Sequence, residues 1–321
     1  MDDKASLLAT LEAAEALLDA GFEPRRTLLF SFGHDEEIGG ERGAAAIAAL
    51  LRDRGVRAEY VLDEGMAIVE GAISGVQGPA ALIGLAEKGY VSVELSVEVE
   101  GGHSSTPPPE TAVGILSGAI TRLESNPMPA RLEGPSRLLL QTLAPDMPFL
   151  MRTVMANLWL FEGVVIRIMA GTPETDAAIR TTTAPPLLRA GIKDNILPSQ
   201  ARGVVNFRIL PGDSGEDVLD HVRRTVEDPR IRVERFGGVS TEPSPVSRVE
   251  SWGYAQIRAT VQEVFPGTLV APFLALGGTD SKHFVDVAED VYRFAPIRYR
   301  PELASGVHGT DERIPEEDYL G

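Results

Sequence analysis

The spacing of apolar and polar positions changes character twice along the chain. Between Ala5 and Ala20, Leu7, Leu11, Ala14 and Leu18 fall on one helical face, and Gly21 offers a stop. Thr27–Phe32 is a β-rich run that reads as a buried strand. Gly43–Arg54 reads as a second helix, closed at Gly55, and Ala58–Leu62 as another strand ending in Asp63-Glu64-Gly65. Helix, strand, helix, strand, with acids at two strand ends, is the pattern of a sheet flanked by helices.

Near Glu87 the texture changes. In Tyr90–Val99, Val91, Val93, Leu95, Val97 and Val99 share one face, and Ser92, Glu94, Ser96 and Glu98 share the other. Such alternation predicts a half-exposed strand of an antiparallel or mixed sheet. A helix is expected from about Glu110 to Glu124, with Val113, Leu116, Ile120 and Leu123 inward. Strands are expected at Thr181–Leu188, Ala201–Leu210 and Arg230–Phe236, with a helix at Gly215–Glu227. Phe149–Ala170 is apolar but its period does not choose between helix and strand. The order strand, helix, strand, strand, helix, strand is that of a small α+β sandwich. Gly237–Ser247 reads as a linker, Trp252–Val264 as a helix, and Leu269–Leu276 and Val291–Ala295 as strands. The expected division is therefore a first domain over 1–87, an inserted one over 88–238, and a return to the first over 239–321.

Composition narrows the class of function. The chain has 321 residues and is 43% hydrophobic, enough for two cores. Its net charge of -17 argues against nucleic acid or an anionic membrane as partner. There is no Cys, which removes disulfide and thiolate chemistry. No window approaches the roughly 18 uncharged residues of a membrane span, and Met1–Gly21 lacks the pattern of a signal peptide. The expectation is a soluble, cytoplasmic protein without a membrane partner.

Candidate chemistry concentrates in Thr27–Gly40, where Thr27–Phe32 runs into His34, Asp35, Glu36 and Glu37 before Gly39 and Gly40. Reactive groups collect where strands end in open α/β sheets. Three adjacent acids repel one another unless a cation or proton offsets them. A metal site and a solvated acidic turn both satisfy that stretch taken alone. Further motifs follow in order: LDEG at 62–65, GGHSSTPP at 101–108, NILP at 195–198, NFR at 206–208, GGTDS at 277–281 and HG at 308–309. No glycine-rich phosphate loop follows a strand, so a nucleotide-binding protein is not supported.

Taken together, these motifs and the domain break between the second and sixth of those stretches resemble the co-catalytic zinc metallopeptidases. That family includes carboxypeptidase S, aminoacylase and glutamate carboxypeptidase, and the likeness is strongest to the carboxypeptidase S and N-acyl-amino-acid hydrolase branch. The resemblance implies an α/β fold: a zinc aminopeptidase-like three-layer catalytic domain with an inserted α+β lid that dimerises. It implies cleavage of an amide beside a free carboxylate, in a small peptide or an N-acyl amino acid. Glu37 and His308 are then ligands of one metal, Asp63 of the other, and Asp2 bridges them. Two Zn²⁺ ions per site are implied, with Co²⁺ or Mn²⁺ as substitutes. Glu36 takes the part of general base towards a metal-bridging water. His103 corresponds to a lid histidine that reaches the active site of the partner subunit and polarises the substrate carbonyl. Asn195, Arg208, Gly278, Thr279 and Ser281 correspond to groups that hold the substrate carboxylate. His34 and Asp35 read as turn residues, and His221 and His283 as structural.

The chain also departs from the pattern. Similar enzymes begin with an H-x-D motif whose histidine completes the metal site of Asp63; here the sequence starts at the bridging aspartate. The expectation that follows is a fragment lacking the first catalytic strands and short at its end, with one complete metal site. The rival to an active hydrolase is thus a pseudo-enzyme that folds and dimerises but holds one metal.

Overall fold

A computed structural model of the chain describes residues 3–71, 73, 75–299, 309, 313 and 315. The chain runs through α1 (Lys4–Asp19), α2 (Ala44–Asp53), β1 (Val61–Asp63), β2 (Ile68–Glu70), β3 (Pro79–Glu87), β4 (Gly89–Glu98) and β5 (Gly102–His103). It continues through α3 (Ala112–Ser125), α4 (Gly134–Leu143), α5 (Phe149–Ala156), α6 (Leu158–Met169) and α7 (Pro173–Ala177). Then follow β6 (Thr182–Ala190), β7 (Ile196–Leu197), β8 (Gln200–Ile209), α8 (Gly215–Val226), β9 (Ile231–Arg235), α9 (Trp252–Val264), β10 (Leu269–Ala275), β11 (Val291–Arg293) and β12 (Arg298–Tyr299). Two compact units result: 1–87, 134–158 and 245–321 form the first, and 88–133 and 159–244 the second. Residues 134–158, which fall inside the expected insertion, pack within the first unit.

That unit is a mixed six-stranded sheet built on β3. β10 runs parallel to β3 along its length, while β2 and β11 meet its other edge antiparallel, β1 pairs with β11, and β12 with β2. Ala81, Ile83 and Leu85 lie in a core with Tyr254, Ile257 and Val261 of α9. Leu82 points the other way, into a core with Leu143 of α4 and Met147, with Met151 and Met155 of α5 packed against it. Burial on both faces explains why β3 is an unbroken apolar run with no alternation.

The expected strand Thr27–Phe32 does not form. Its residues have no strand structure, and Leu28, Leu29, Phe30 and Phe32 are exposed. β propensity needs a neighbouring strand to accept its backbone hydrogen bonds, and none of the described strands pairs with this stretch. α1 forms as expected, but only Ala5 of it is buried and its leucine face is exposed. Phe149–Ala170 resolves into α5 and α6, and no single described helix is long and apolar enough to cross a membrane.

The second unit is a four-stranded antiparallel sheet in the order β6-β8-β4-β9. Val91, Val93, Leu95 and Val97 form its core face, as the alternation requires, against Leu116, Ala119 and Leu123 of α3 and Val218, Leu219 and Val222 of α8. Val113, expected inward, is exposed on α3. Helix α8 starts in a reciprocal cap: the Asp217 N–H donates to Ser214 Oγ, and the Ser214 N–H to Asp217 Oδ2.

Two neighbours govern the start of β4. The Lys88 side chain is 4% exposed, and its Nζ donates to the carbonyls of Ala177 and Arg180, 2.8 Å each. At Gly89 a Cβ would stand 2.5 Å from Thr241 O and 2.7 Å from Pro243 N, both rigid backbone. Gly89→Ala should therefore destabilise the fold by about 1–3 kcal/mol through overpacking. An unchanged urea midpoint would show that residues 241–243 yield instead.

Burial pushes the Lys88 ammonium down to about 8 from the ordinary 10.5. Between those values the unfolded chain keeps a proton that the folded chain has released, so this group adds stability as pH rises. Below about 8 both states carry the charge and its burial is unfavourable throughout. Urea midpoints measured from pH 7.5 to about 10 should climb more steeply for the protein than for Lys88→Met. Parallel curves would mean that Lys88 stays charged.

Candidate active site

The acidic turn is held by its own backbone. The Asp35 carbonyl accepts the Gly40 N–H at 2.9 Å, and Asp35 Oδ2 accepts the Arg42 N–H at 2.8 Å. That backbone donor holds the Asp35 carboxyl below its ordinary range, so Asp35 anchors the turn, and His34 is exposed. Glu36–Ile38 form a single 3-10 turn closed by Gly39 and Gly40 in left-handed conformations, with φ of 109° and 74°. Gly40 could be nothing else: its Cβ would collide with Asp280 Oδ1 and lie 3.1 Å from His283 Nε2. His283 Nε2–H donates to the Gly39 carbonyl at 2.8 Å, the structural part expected of it.

Asp63 ends β1, paired in parallel register with Arg293 at the end of β11. It is half-buried, and Thr279 Oγ1 lies 3.0 Å from its Oδ2. Burial raises its pKa, the neighbouring Glu87 adds to this, and Thr279 and Arg293 oppose it. Thr279 and Ser281 turn away from solvent, 7% and 0% exposed, and their hydroxyls reach Glu87 Oε1 at 2.6 and 2.7 Å. Their side chains thus belong to an internal network rather than to an open carboxylate pocket. Asp280, between them, keeps one buried carboxylate oxygen with no hydrogen-bond partner among the described residues. Its pKa is raised by burial and then by Asp63.

In the second unit, β5 pairs with β7 so that His103 faces Ile196, next to Asn195. His103 Nδ1 accepts the Ser105 N–H at 3.2 Å and lies 2.8 Å from Ser105 Oγ. An Nδ1 that accepts a backbone donor is unprotonated in the neutral ring, which leaves Nε2–H as a donor. The Asn195 carbonyl accepts the Ser104 N–H at 3.2 Å, and its side-chain Oδ1 is buried without a partner among the described residues. Arg208 is exposed on β8, its guanidinium 5.0 Å from the centre of the Tyr90 ring. It opens on a cavity of about 440 Å³, shared with Leu187, Val204, Asn206 and Phe236. Asn206 Nδ2 donates to Ser92 Oγ at 3.1 Å. Sequence reasoning passed over Asn206, although it stands two residues before Arg208 on the same strand face. It also passed over Asp280, Glu87 and Arg293.

Of the four expected metal ligands, Asp2 and His308 lie outside the described residues, while Glu37 and Asp63 are described. Among the described residues no three His, Asp or Glu side chains gather closely enough to hold a metal ion. The donors that are described do suit a hard cation. Asp63 has lost solvent without full compensation, and Asp280 keeps an unpartnered buried oxygen.

The chain is 43% identical over 322 residues to the N-fatty-acyl-amino acid synthase/hydrolase PM20D1.1 of Danio rerio, covering 99% of this chain and 62% of that protein. It is 38% identical over 321 residues to the probable carboxypeptidase S-like 2 of Dictyostelium discoideum, again covering 99% and 62%. It therefore spans less than two thirds of the length of these relatives. Among solved structures, the M20 family metallo-carboxypeptidase Sso-CP2 of Sulfolobus solfataricus superposes with a TM-score of 0.63 at 19% identity, over 98% of this chain and 72% of that one, which speaks for the fold. The model of peptidase family M20/M25/M40 matches residues 1–321, and the chain belongs to that family.

Proposed function

We propose that the protein is a metal-dependent hydrolase that cleaves the amide of an N-acyl amino acid, next to a free carboxylate. The observation that carries the reading is Asp63: a carboxylate sunk at the end of a sheet strand, its pKa raised by burial and by Glu87. A group so placed is a candidate ligand to a cation. The likeness to an N-fatty-acyl-amino acid synthase/hydrolase of Danio rerio favours an N-acyl amino acid over a dipeptide as substrate.

In this reading Asp2, Glu37, Asp63 and His308 would hold zinc, which when bound would supply Lewis acidity and lower the pKa of a water towards neutral pH. Glu36 takes the proton of the attacking water and returns it to the amine nitrogen as the amide C–N bond breaks. The products are a carboxylic acid and a free amino acid. His103, reaching the active site of a partner subunit, offers Nε2–H to the carbonyl oxygen of the substrate there, its other nitrogen being occupied by Ser105. Arg208, backed by the Tyr90 ring, holds the substrate carboxylate by its planar fork. β6 and β9 are the edge strands of the second unit's sheet, and an edge is where a homodimer contact through that unit belongs.

The direct test is release of free amino acid from N-acyl amino acids by the protein and by Glu36→Gln. The rate should fall by about 10²–10⁴ while bound zinc, by elemental analysis, stays the same. Full turnover in the variant, or loss of its zinc, would reject the role of base. Arg208→Lys should raise KM for substrates with a free carboxylate by about tenfold, since one fork contact is lost, and leave their methyl esters unaffected. Equal effects on acid and ester would remove Arg208 from carboxylate binding.

A further inference from the structure

Glu87 and Arg293 form an ion pair at 3.1 Å in the first unit, and both are sealed from solvent at 2% and 0% exposure. A buried pair is weak as a source of stability, because both ions lose their hydration. Its geometry suggests another use. Glu87 Oε1 alone receives the Thr279 N–H at 3.0 Å, the Thr279 hydroxyl at 2.6 Å, the Ser281 hydroxyl at 2.7 Å and Arg293 Nε at 3.1 Å. One oxygen therefore gathers Thr279 and Ser281 of the GGTDS loop. Arg293 is tied in turn to Ser281 Oγ at 2.8 Å and to the Val291 carbonyl at 2.6 Å.

The Thr279 hydroxyl is where this network touches Asp63. Its single proton is shared in a three-centre hydrogen bond between two carboxylate oxygens, Glu87 Oε1 at 2.6 Å and Asp63 Oδ2 at 3.0 Å. Glu87 is also served by Ser281, Arg293 and the Thr279 backbone. Its grip on Thr279 thus fixes where the hydroxyl stands against Asp63. Asp63 itself is held from the other side, since the Phe294 N–H donates to its carbonyl at 2.7 Å.

We propose that Glu87, with Arg293 as counter-charge, is a positioning residue: it seats the Thr279 hydroxyl against Asp63 and so sets the direction of the Asp63 carboxylate. The inference rests on reading Asp63 as a metal ligand. Ligating carboxylates are oriented by such outer hydrogen bonds, and losing one typically costs about 10–100-fold in metal affinity. It also gives the loop hydroxyls an internal task in place of substrate binding.

The test uses the full chain with Thr279→Val, Thr279→Ser and Glu87→Gln, and two readouts. The first is Co²⁺ affinity of dialysed protein, followed by its absorption spectrum. Thr279→Val should bind about 10–100-fold more weakly than the unaltered chain, and Thr279→Ser should restore binding. The second is amide hydrogen exchange over 277–282, which should quicken by about tenfold in Glu87→Gln relative to β4 and β8. Thr279→Val binding as tightly as the unaltered chain would overturn the proposal, as would unchanged exchange in Glu87→Gln. If the unaltered chain takes up no Co²⁺, the metal reading of Asp63 falls. The exchange result then still decides whether Glu87 holds the loop.

Discussion

Burial of β3 on both faces is the constraint from which much of the structure follows. With α9 over one side and α4 and α5 over the other, no residue along the strand can remain polar. The strand runs into two consecutive charges, Glu87 and Lys88, that are themselves buried. Each is answered inside its own unit. Arg293 and two hydroxyls surround Glu87, while two backbone carbonyls take the ammonium of Lys88. Removing one partner of a buried ion pair leaves the other uncompensated, a loss of roughly 3–5 kcal/mol. These residues are therefore committed by the fold itself, before any chemistry is asked of them.

How legible each element was depends on how many of its faces are wet. β4, β8, β9 and α8 have one dry and one wet face, so their period stands in the sequence and their limits were read to within a residue or two. β3 is dry on both sides and shows only the run Ala80–Ala86, bounded by Pro79 and Glu87, which no periodicity marks. α5 and α6 hide their period differently: apolar residues such as Phe149, Leu150, Trp159 and Ile168 also occupy exposed positions, so hydropathy does not separate their faces. Thr27–Phe32 failed for the opposite reason. Its composition favours a strand, but a strand is a relation between two stretches, and composition carries only one of them.

The site divides in a similar way. Motif order identified the family and placed His103, Asn195 and Arg208 in stretches that the structure brings onto β5, beside β7 and onto β8. Glu87 and Arg293 were invisible because 206 positions separate them and each, read alone, is an ordinary charge at the end of an apolar run. Ser105 sets the donor nitrogen of His103 through its backbone N–H, a group that every non-proline residue carries and that leaves no mark in the sequence. Thr279 and Ser281 were placed by motif in a loop expected to offer backbone N–H groups to a carboxylate; the motif gave no sign that their hydroxyls turn inward to Glu87.

The buried carboxylates of the first unit differ in how far they are compensated. Glu87 is almost fully buried and yet accepts donors from three residues on one oxygen. Asp290 is similarly enclosed and accepts the Arg248 backbone N–H and guanidinium, with its pKa held down by them. Asp63 and Asp280 differ: burial raises both, Asp63 raises Asp280 further although Thr279 and the Glu64 backbone oppose the shift of Asp63 itself, and one oxygen of Asp280, like one of Asp35, has no partner among the described residues. Asp280 stands against Gly40, in the glycine turn that follows Glu36 and Glu37, and Asp63 is close enough to raise it. A buried carboxylate oxygen left without a donor is the kind of position at which a bound cation inverts the local pKa order.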